Sequence, residues 1–284
     1  MKLKDRVAII TGGGRGIGEA MALAFAKEGA DLILVSRTFQ EIENIANVVR
    51  KYGADALPIA GDVSEEKTAD EVVRKTIEKY SKIDVLVNCA GIYGPIGRFD
   101  KNDWKEWKDT LNINLLGTLL FIRKVIPYMT KRKYGKIINM SGGGAASPLP
   151  NFTAYAASKV VVVRLTETLA QEYKEFNIDI NAIAPGAVNT RFLDQVLKAG
   201  KNAGEEFYKR ALAQKESGGT PRELAAELAV FLASSDSDGL TGKLISASWD
   251  DWKNFKENKK ISESSLFTLR RIDNMKFFEK KEEM

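Results

Sequence analysis

The chain has 284 residues, 44% of them apolar, with one cysteine, no histidine and a net charge of +5. A lone Cys89 excludes an internal disulfide. The missing histidine excludes Ser-His-Asp hydrolysis, histidine general bases and histidine-held metals, so no metal site is expected and acid-base chemistry falls to Tyr, Lys, Asp or Glu.

Three of the five net positive charges lie in residues 253–284, where nine basic residues are mixed with six acidic ones. Such mixing reads as a solvated surface, and no nucleic-acid motif accompanies it. The longest apolar stretch, Leu115 to Ile122, is interrupted by Gly117 and Thr118, short of the ~18 residues a membrane-spanning helix needs. No secretory pattern precedes the first strand, so a reducing cytoplasm is the expected compartment.

Short apolar runs alternate with longer amphipathic or alanine-rich segments. The runs are Val7 to Ile10, Leu32 to Val35, Ala56 to Ile59, Val85 to Val87, Ile137 to Asn139 and Ile178 to Ala182. Strand and helix in repeated alternation predict an α/β, doubly wound parallel sheet of Rossmann type with helices on both faces. With no linker or repeat in sight, residues 1–250 read as one domain. Residues 251–284 read as a C-terminal extension packed on the body or on a neighbouring subunit. Around and within it Trp249, Trp252, Phe255, Phe267, Phe277 and Phe278 recur without clear period.

The first strand runs into a glycine-rich turn and then an alanine-rich helix, with Gly12, Gly16 and Gly18 spaced TGxxxGxG. Such a turn can be a bare connection, but this context favours a dinucleotide pyrophosphate set against a helix N-terminus. At the end of the second strand, where an acidic residue would select NAD(H), stand Ser36 and Arg37. Arg37, with Arg15 from the glycine loop, can bond a 2'-phosphate, so NADP(H) is favoured over NAD(H). The alternative is that both arginines only face solvent.

Tyr155 and Lys159 stand four residues apart in a helical segment, hence on one face. An ammonium beside a phenol stabilises the phenolate and is expected to draw its pKa downward. Taken alone, a YxxxK pair also occurs on many surface helices.

With these residues in place the chain resembles the short-chain dehydrogenase/reductase family from about residue 4 to about 245. The likeness rests on TGGGRGIG at Thr11 to Gly18, including Ile17, then Asp62 and Val63, NCAG at Asn88 to Gly91, and NINLLG at Asn112 to Gly117. It continues through YAASK at Tyr155 to Lys159 and PGAVNT at Pro185 to Thr190. The resemblance implies that Tyr155 donates the proton, Lys159 holds the nicotinamide ribose, and Asn114 supports a water-linked proton relay. It places Asp62 at adenine, Asn88, Ala90 and Gly91 beside the adenine-side ribose, and Val188 and Thr190 at the carboxamide. Asn88 has a second reading as a tie between strands, and Pro185-Gly186 one as a turn.

The family's catalytic serine, thirteen residues before the tyrosine, falls on Gly142 here, and Ser141 is one residue early. One step along a strand reverses the side chain, so Ser141 can serve as substrate donor only if Gly142 to Gly144 bulge or shift the loop. Ser147 and Asn151 are the fallback donors.

Residues 191–219 resemble the family's substrate lid. Val160 to Val163 make the Tyr155 helix apolar on more than one side, which calls for a partner helix, and the family implies a homodimer or homotetramer. The expected activity is interconversion of a small-molecule ketone or aldehyde, 3-oxoacyl compounds included, with an alcohol. The alternatives are a catalytically weak dinucleotide-binding regulator or scaffold, and reduction of an activated carbon-carbon double bond.

Overall fold

The computed structural model describes residues 1–257 and 260–271. Phe277 and Phe278 lie outside the described residues. Runs rich in β-branched and apolar residues form β1 (Val7–Thr11), β2 (Asp31–Ser36), β3 (Ala56–Ala60), β4 (Val85–Asn88), β5 (Gly135–Met140) and β6 (Ile178–Ala184). All six runs read from the sequence are strands. A seventh, β7 (Leu244–Ser246), is only three residues long and too short to show a period.

The seven strands are parallel in the order β3-β2-β1-β4-β5-β6-β7. Parallel neighbours require crossovers, and helices supply them on both faces. On one face pack α1 (Gly16–Lys27), α2 (Phe39–Lys51) and α9 (Arg222–Ala233), through residues such as Met21, Phe25, Ile42 and Leu228. On the other pack α3 (Glu66–Tyr80), α5 (Gly117–Arg132) and α6 (Thr153–Glu172), through Val72, Phe121, Val125 and Ala170. Continuous burial along β1, β4 and β5 follows, because both of their faces are covered.

The chain winds outward from β1 to β3 and then returns to lay β4 on the free side of β1. That reversal opens a crevice at the carboxyl ends of β1 and β4, the place where open α/β sheets bind ligands. Between α4 (Trp104–Leu111) and α5, Asn112–Leu116 form a π-turn closed by Gly117 N–H to Asn112 O. Beyond β6 the chain leaves the sheet to form α7 (Arg191–Ala199) and α8 (Glu205–Ser217), and an antiparallel bridge between Val188 and Gly219 ties the root of this excursion.

After β7, Trp252 and Phe255 bury their rings in the core cluster that contains α9, and Phe231 lies 5.9 Å from Trp252. Leu244 N–H donates to Phe267 O at 2.7 Å, so this segment pairs with the outer edge of β7. Trp249 is 86% exposed.

Candidate active site

Above the carboxyl ends of the strands lies a cavity of about 1200 Å³. It exceeds the roughly 300–1,000 Å³ of a typical single-ligand pocket, which leaves space for a cofactor and a substrate together. Its floor at one end is the glycine loop. Gly12 adopts φ +69°, and a Cβ on Gly18 would stand 2.2 Å from Gly12 O, so no side chain is tolerated where the loop doubles back into α1. The N-terminus of α1 has no side-chain cap. Gly16, Ile17 and Gly18 of its first turn line the cavity, which sets the positive end of the helix dipole against it, as an anionic pyrophosphate requires. The residues present fit a dinucleotide.

Tyr155 and Lys159 share one face of α6 and are each 5% exposed, yet both line the cavity. Lys159 Nζ donates to Met140 O at 2.7 Å, which pins it to the carboxyl end of β5, and it sits 5.6 Å from the centre of the Tyr155 ring. Burial pulls the Lys159 ammonium down to about 8. Burial also raises the Tyr155 phenol above its usual range. The sequence reading expected the neighbouring amine to lower it. Here loss of solvent, with Tyr93 and Cys89 close by, acts in the opposite direction and favours the neutral phenol.

The serine question has a geometric answer. A Cβ built on Gly142 would stand 2.1 Å from Tyr155 Oη. Position 142 is thus the one aimed at the phenol, as the thirteen-residue spacing implies, and the phenol oxygen occupies the space of its missing side chain. Ser141 lines the cavity, but its buried Oγ has no hydrogen-bond partner and does not reach Tyr155. Its backbone N–H continues the β5–β6 ladder by donating to Ile183 O, so no bulge rotates it into the family serine's place. Ser147 lines the same cavity, whereas Asn151, at φ +70°, sits outside the lining and accepts from Gly97 N–H through its carbonyl.

Most of the other anticipated residues come together here. Arg15, Ile17, Ser36, Arg37, Asp62 and Val63 line the end of the cavity beside β2 and β3, and Ala90, Gly91, Pro185, Gly186, Val188 and Thr190 line the inner half. Three residues do not line it. Thr11 lies beneath the floor, where its Oγ1 accepts from Cys89 and Ala90 N–H. Asn88 donates to Asn139 Oδ1 at 2.9 Å, the strand tie that was its second reading. Asn114 is 1% exposed and spends both amide hydrogens, on Ile92 O and Ser158 Oγ, while its Oδ1 accepts from Ile92 N–H. Its side chain fastens the loop after β4 to α6.

At the end beside β2 and β3 the two arginines have acidic neighbours. Arg15 Nη1 lies 3.2 Å from Glu41, and Arg37 Nη1 lies 4.0 Å from Asp62. Glu41 also pairs with Arg191 at 3.0 Å, which joins the start of α7 to the glycine loop across the mouth of the crevice. Ser36 turns its hydroxyl to Thr38 O.

A glycine loop at the switch point, with a Tyr-Lys pair buried against the same cavity, matches a family model: residues 6–200 fit the short chain dehydrogenase model. The chain belongs to the short-chain dehydrogenase family. This short-chain dehydrogenase is 34% identical over 249 residues to the 3-oxoacyl-[acyl-carrier-protein] reductase FabG of Thermotoga maritima, covering 86% of this chain and 97% of that protein. It is 35% identical over 251 residues to levodione reductase of Leifsonia aquatica, covering 86% and 93%. In structure it is similar to NAD+-bound xylitol dehydrogenase, with a TM-score of 0.81, 28% identity and coverage of 87% and 98%. It is accordingly an oxidoreductase fold in its motifs and in its architecture.

The sequence reading missed the ring cluster at the inner end of this short-chain dehydrogenase's cavity, where Tyr93, Phe192 and Phe207 line the cavity and Phe152 is buried behind them. Tyr93 lies 4.7 Å from Tyr155 and 4.5 Å from Phe192, and Phe152 lies 4.8 Å from Phe207. They come from four separate segments, and only the apolar character of Phe192 and Phe207 in the lid hinted at the cluster.

Proposed function

We propose that the protein interconverts a ketone or aldehyde with an alcohol using NADP(H), and that Tyr155 exchanges the proton. The observation that carries this reading is the burial of the Tyr155 phenol and the Lys159 amine against one cavity that begins at an uncapped helix N-terminus.

When bound, the nicotinamide supplies or takes up the hydride. Tyr155, held neutral by burial, gives its proton to the carbonyl oxygen in reduction and recovers it from solvent afterwards. Lys159, tethered at Met140 O, fixes the amine one turn from the phenol, where its positive charge offsets the phenolate that each reductive turnover leaves behind. Val188 and Thr190 would face the carboxamide, Asp62 the adenine, and Ala90 and Gly91 the ribose. For the cofactor's 2'-phosphate the supports are Arg15 and Arg37, with Ser36 at the end of β2 where an acid would repel it.

A homodimer or homotetramer is part of this reading, supported by Val160 and Val161, which remain 37% and 39% exposed beside the buried Val162 and Val163. A single cysteine suits a reducing cytoplasm.

Gly142 favours a second reading, a dinucleotide binder with weak catalysis. One experiment separates the two: NADPH absorbance followed with carbonyl substrates for the wild type and Tyr155→Phe, with NADPH and NADH titrated into both. The expected result is a fall in kcat of about 10²–10⁴-fold with NADPH Kd within about twofold of wild type. NADPH should bind about tenfold more tightly than NADH if charge-assisted bonds to the phosphate form. Binding without turnover in the wild type would establish the second reading.

A further inference from the structure

We infer that Glu41 is a specificity-determining residue, a built-in carboxylate that competes with the 2'-phosphate of NADP(H) for Arg15 while its second bond, to Arg191, braces the root of the substrate lid. This role rests on the NADP(H) reading of the crevice and adds to it a residue that opposes the phosphate.

Local structure fixes where the carboxylate stands. Glu41 lies in the first turn of α2, and its neighbour Ile42 is fully buried in the core, which holds that turn in place. Gly14 gives α2 room to approach the glycine loop, because a Cβ there would stand 2.9 Å from Glu41 Cβ. On the lid side, a Cβ on Gly16 would stand 3.3 Å from Thr190 Cγ2, and Thr190 caps α7 by accepting from Phe192 N–H. The glycine loop and the lid thereby each bring an arginine to one carboxylate.

Arg15 Nη1 donates to Glu41 Oε1 at 3.2 Å and lies 3.5 Å from Oε2, and Arg191 Nη2 donates to the same Oε1 at 3.0 Å. All three residues line the cavity. Arg37 is less committed. Its Nη1 lies 4.0 Å from Asp62 Oδ2, while Asp62 Oδ1 accepts from the N–H and the hydroxyl of Ser64. A phosphate that recruits Arg37 displaces little, whereas one that recruits Arg15 takes it from Glu41 and meets a like charge beside it. NADH has a hydroxyl in place of that phosphate and requires no such exchange. The side chains of Glu41, Arg15 and Arg191 are 24%, 46% and 63% exposed, so solvent screens the competition and limits it to a few-fold.

Removing the charge at position 41 therefore has two effects of opposite sense, which a merely structural residue would not produce: the phosphate binds more tightly and the lid root loosens. The test compares the full chain with Glu41→Gln, which keeps the size of the side chain. Adenosine 2',5'-bisphosphate and adenosine 5'-monophosphate are titrated by calorimetry. Neither carries a nicotinamide, so binding is read without turnover. Glu41→Gln is expected to bind the bisphosphate about threefold to fivefold more tightly at low salt, with the monophosphate changed by less than about 1.5-fold. The gain is expected to shrink at about 0.5 M NaCl. Limited digestion with trypsin is expected to cut the variant faster within residues 191–219. An unchanged or weaker affinity for the bisphosphate, an equal gain for both nucleotides, or unchanged digestion overturns the role of Glu41 alone. Wild-type protein that holds the bisphosphate no more tightly than the monophosphate overturns the NADP(H) reading on which the role rests.

Discussion

Lys159 shows what a functional residue costs its own fold. Its ammonium is buried, and burial lowers its pKa from 10.5 to about 8. The folded state therefore binds this proton more weakly than the unfolded chain does, so its destabilising effect is fully present below about pH 8. It is relieved as pH rises from about 8 towards 10.5. The size is about 3 kcal/mol. Cys89 and Tyr155, both raised by burial, lose stability as pH passes their ordinary values near 9 and 10, but they are common to wild type and variant and drop out of the difference between the two. Lys159→Met is accordingly expected to raise Tm at pH 7 while abolishing turnover, with an advantage that shrinks between pH 8 and 10. Thermal melts across that range check it, and a Tm difference that does not change with pH would contradict the assignment. Gly142 carries the complementary lesson. The sequence showed that the serine was missing, but only the folded structure shows that the Tyr155 phenol oxygen fills its place, 2.1 Å from where a Cβ on Gly142 would stand, because that depends on how two separate segments meet.

At the scale of elements, α6 does two things. Its amino-terminal half carries Tyr155 and Lys159, and its carboxyl-terminal half holds the extension. Glu167, 6% exposed at its side chain, pairs with Arg164, accepts from Leu269 N–H at 2.6 Å and pairs with Arg270 at 3.0 Å. Arg164 in turn donates to Leu269 O, and Lys243 Nζ donates to Ser264 O, so residues 264–270 are sewn to α6 and to the start of β7. Glu167→Ala removes a buried acceptor of charge-assisted bonds and is expected to cost about 1–3 kcal/mol. The signature is local: faster proteolysis within residues 264–271 with kcat unchanged, since Glu167 lies three turns from Tyr155 on the same helix. Uniform destabilisation without that local cleavage would deny the clamp. The contacts of α6 with Leu269 and Arg270 have no local pattern in the sequence, because they join residues about a hundred positions apart. The glycine loop and the Tyr-Lys pair were legible because each is a short-range device, fixed by a turn or by helical spacing. The π-turn at Asn112–Leu116 was not legible, since its residues are ordinary helix formers and only the backbone bond from Gly117 to Asn112 reveals it.

Across the whole molecule, buried ions and the reactive groups occupy opposite ends of the sheet. At the amino ends of the strands, Asp84 is 0% exposed and accepts from Val7 N–H at 2.9 Å and from Arg132 at 2.9 Å, with Arg6 and Lys82 at 3.7 and 3.3 Å. Lys136, also buried, pairs with Asp179 and Asp238 at 2.7 Å each. At the carboxyl ends lie Tyr155, Lys159 and the partnerless Ser141 Oγ. The alternation of strand and helix made this polarity predictable as a class, since parallel strands gather all their carboxyl ends on one edge. Which charges anchor the other edge was not predictable, because Asp84 precedes β4 in a run that reads only as a strand entry. Removing Asp84 leaves the Val7 N–H unpaired in the interior and three cations without their shared anion. The cations are each about a third exposed and partly solvated, which puts the cost near the lower end of the range for a broken buried pair, about 3 kcal/mol. Asp84→Ala is therefore expected to lower Tm by about 6 °C or more. The distance of this anchor from the cavity gives the second half of the expectation: at 25 °C, where the variant remains folded, kcat and NADPH Kd stay at wild-type values. A loss of turnover in folded Asp84→Ala would mean that strain at the amino ends of the strands reaches Tyr155 through the sheet.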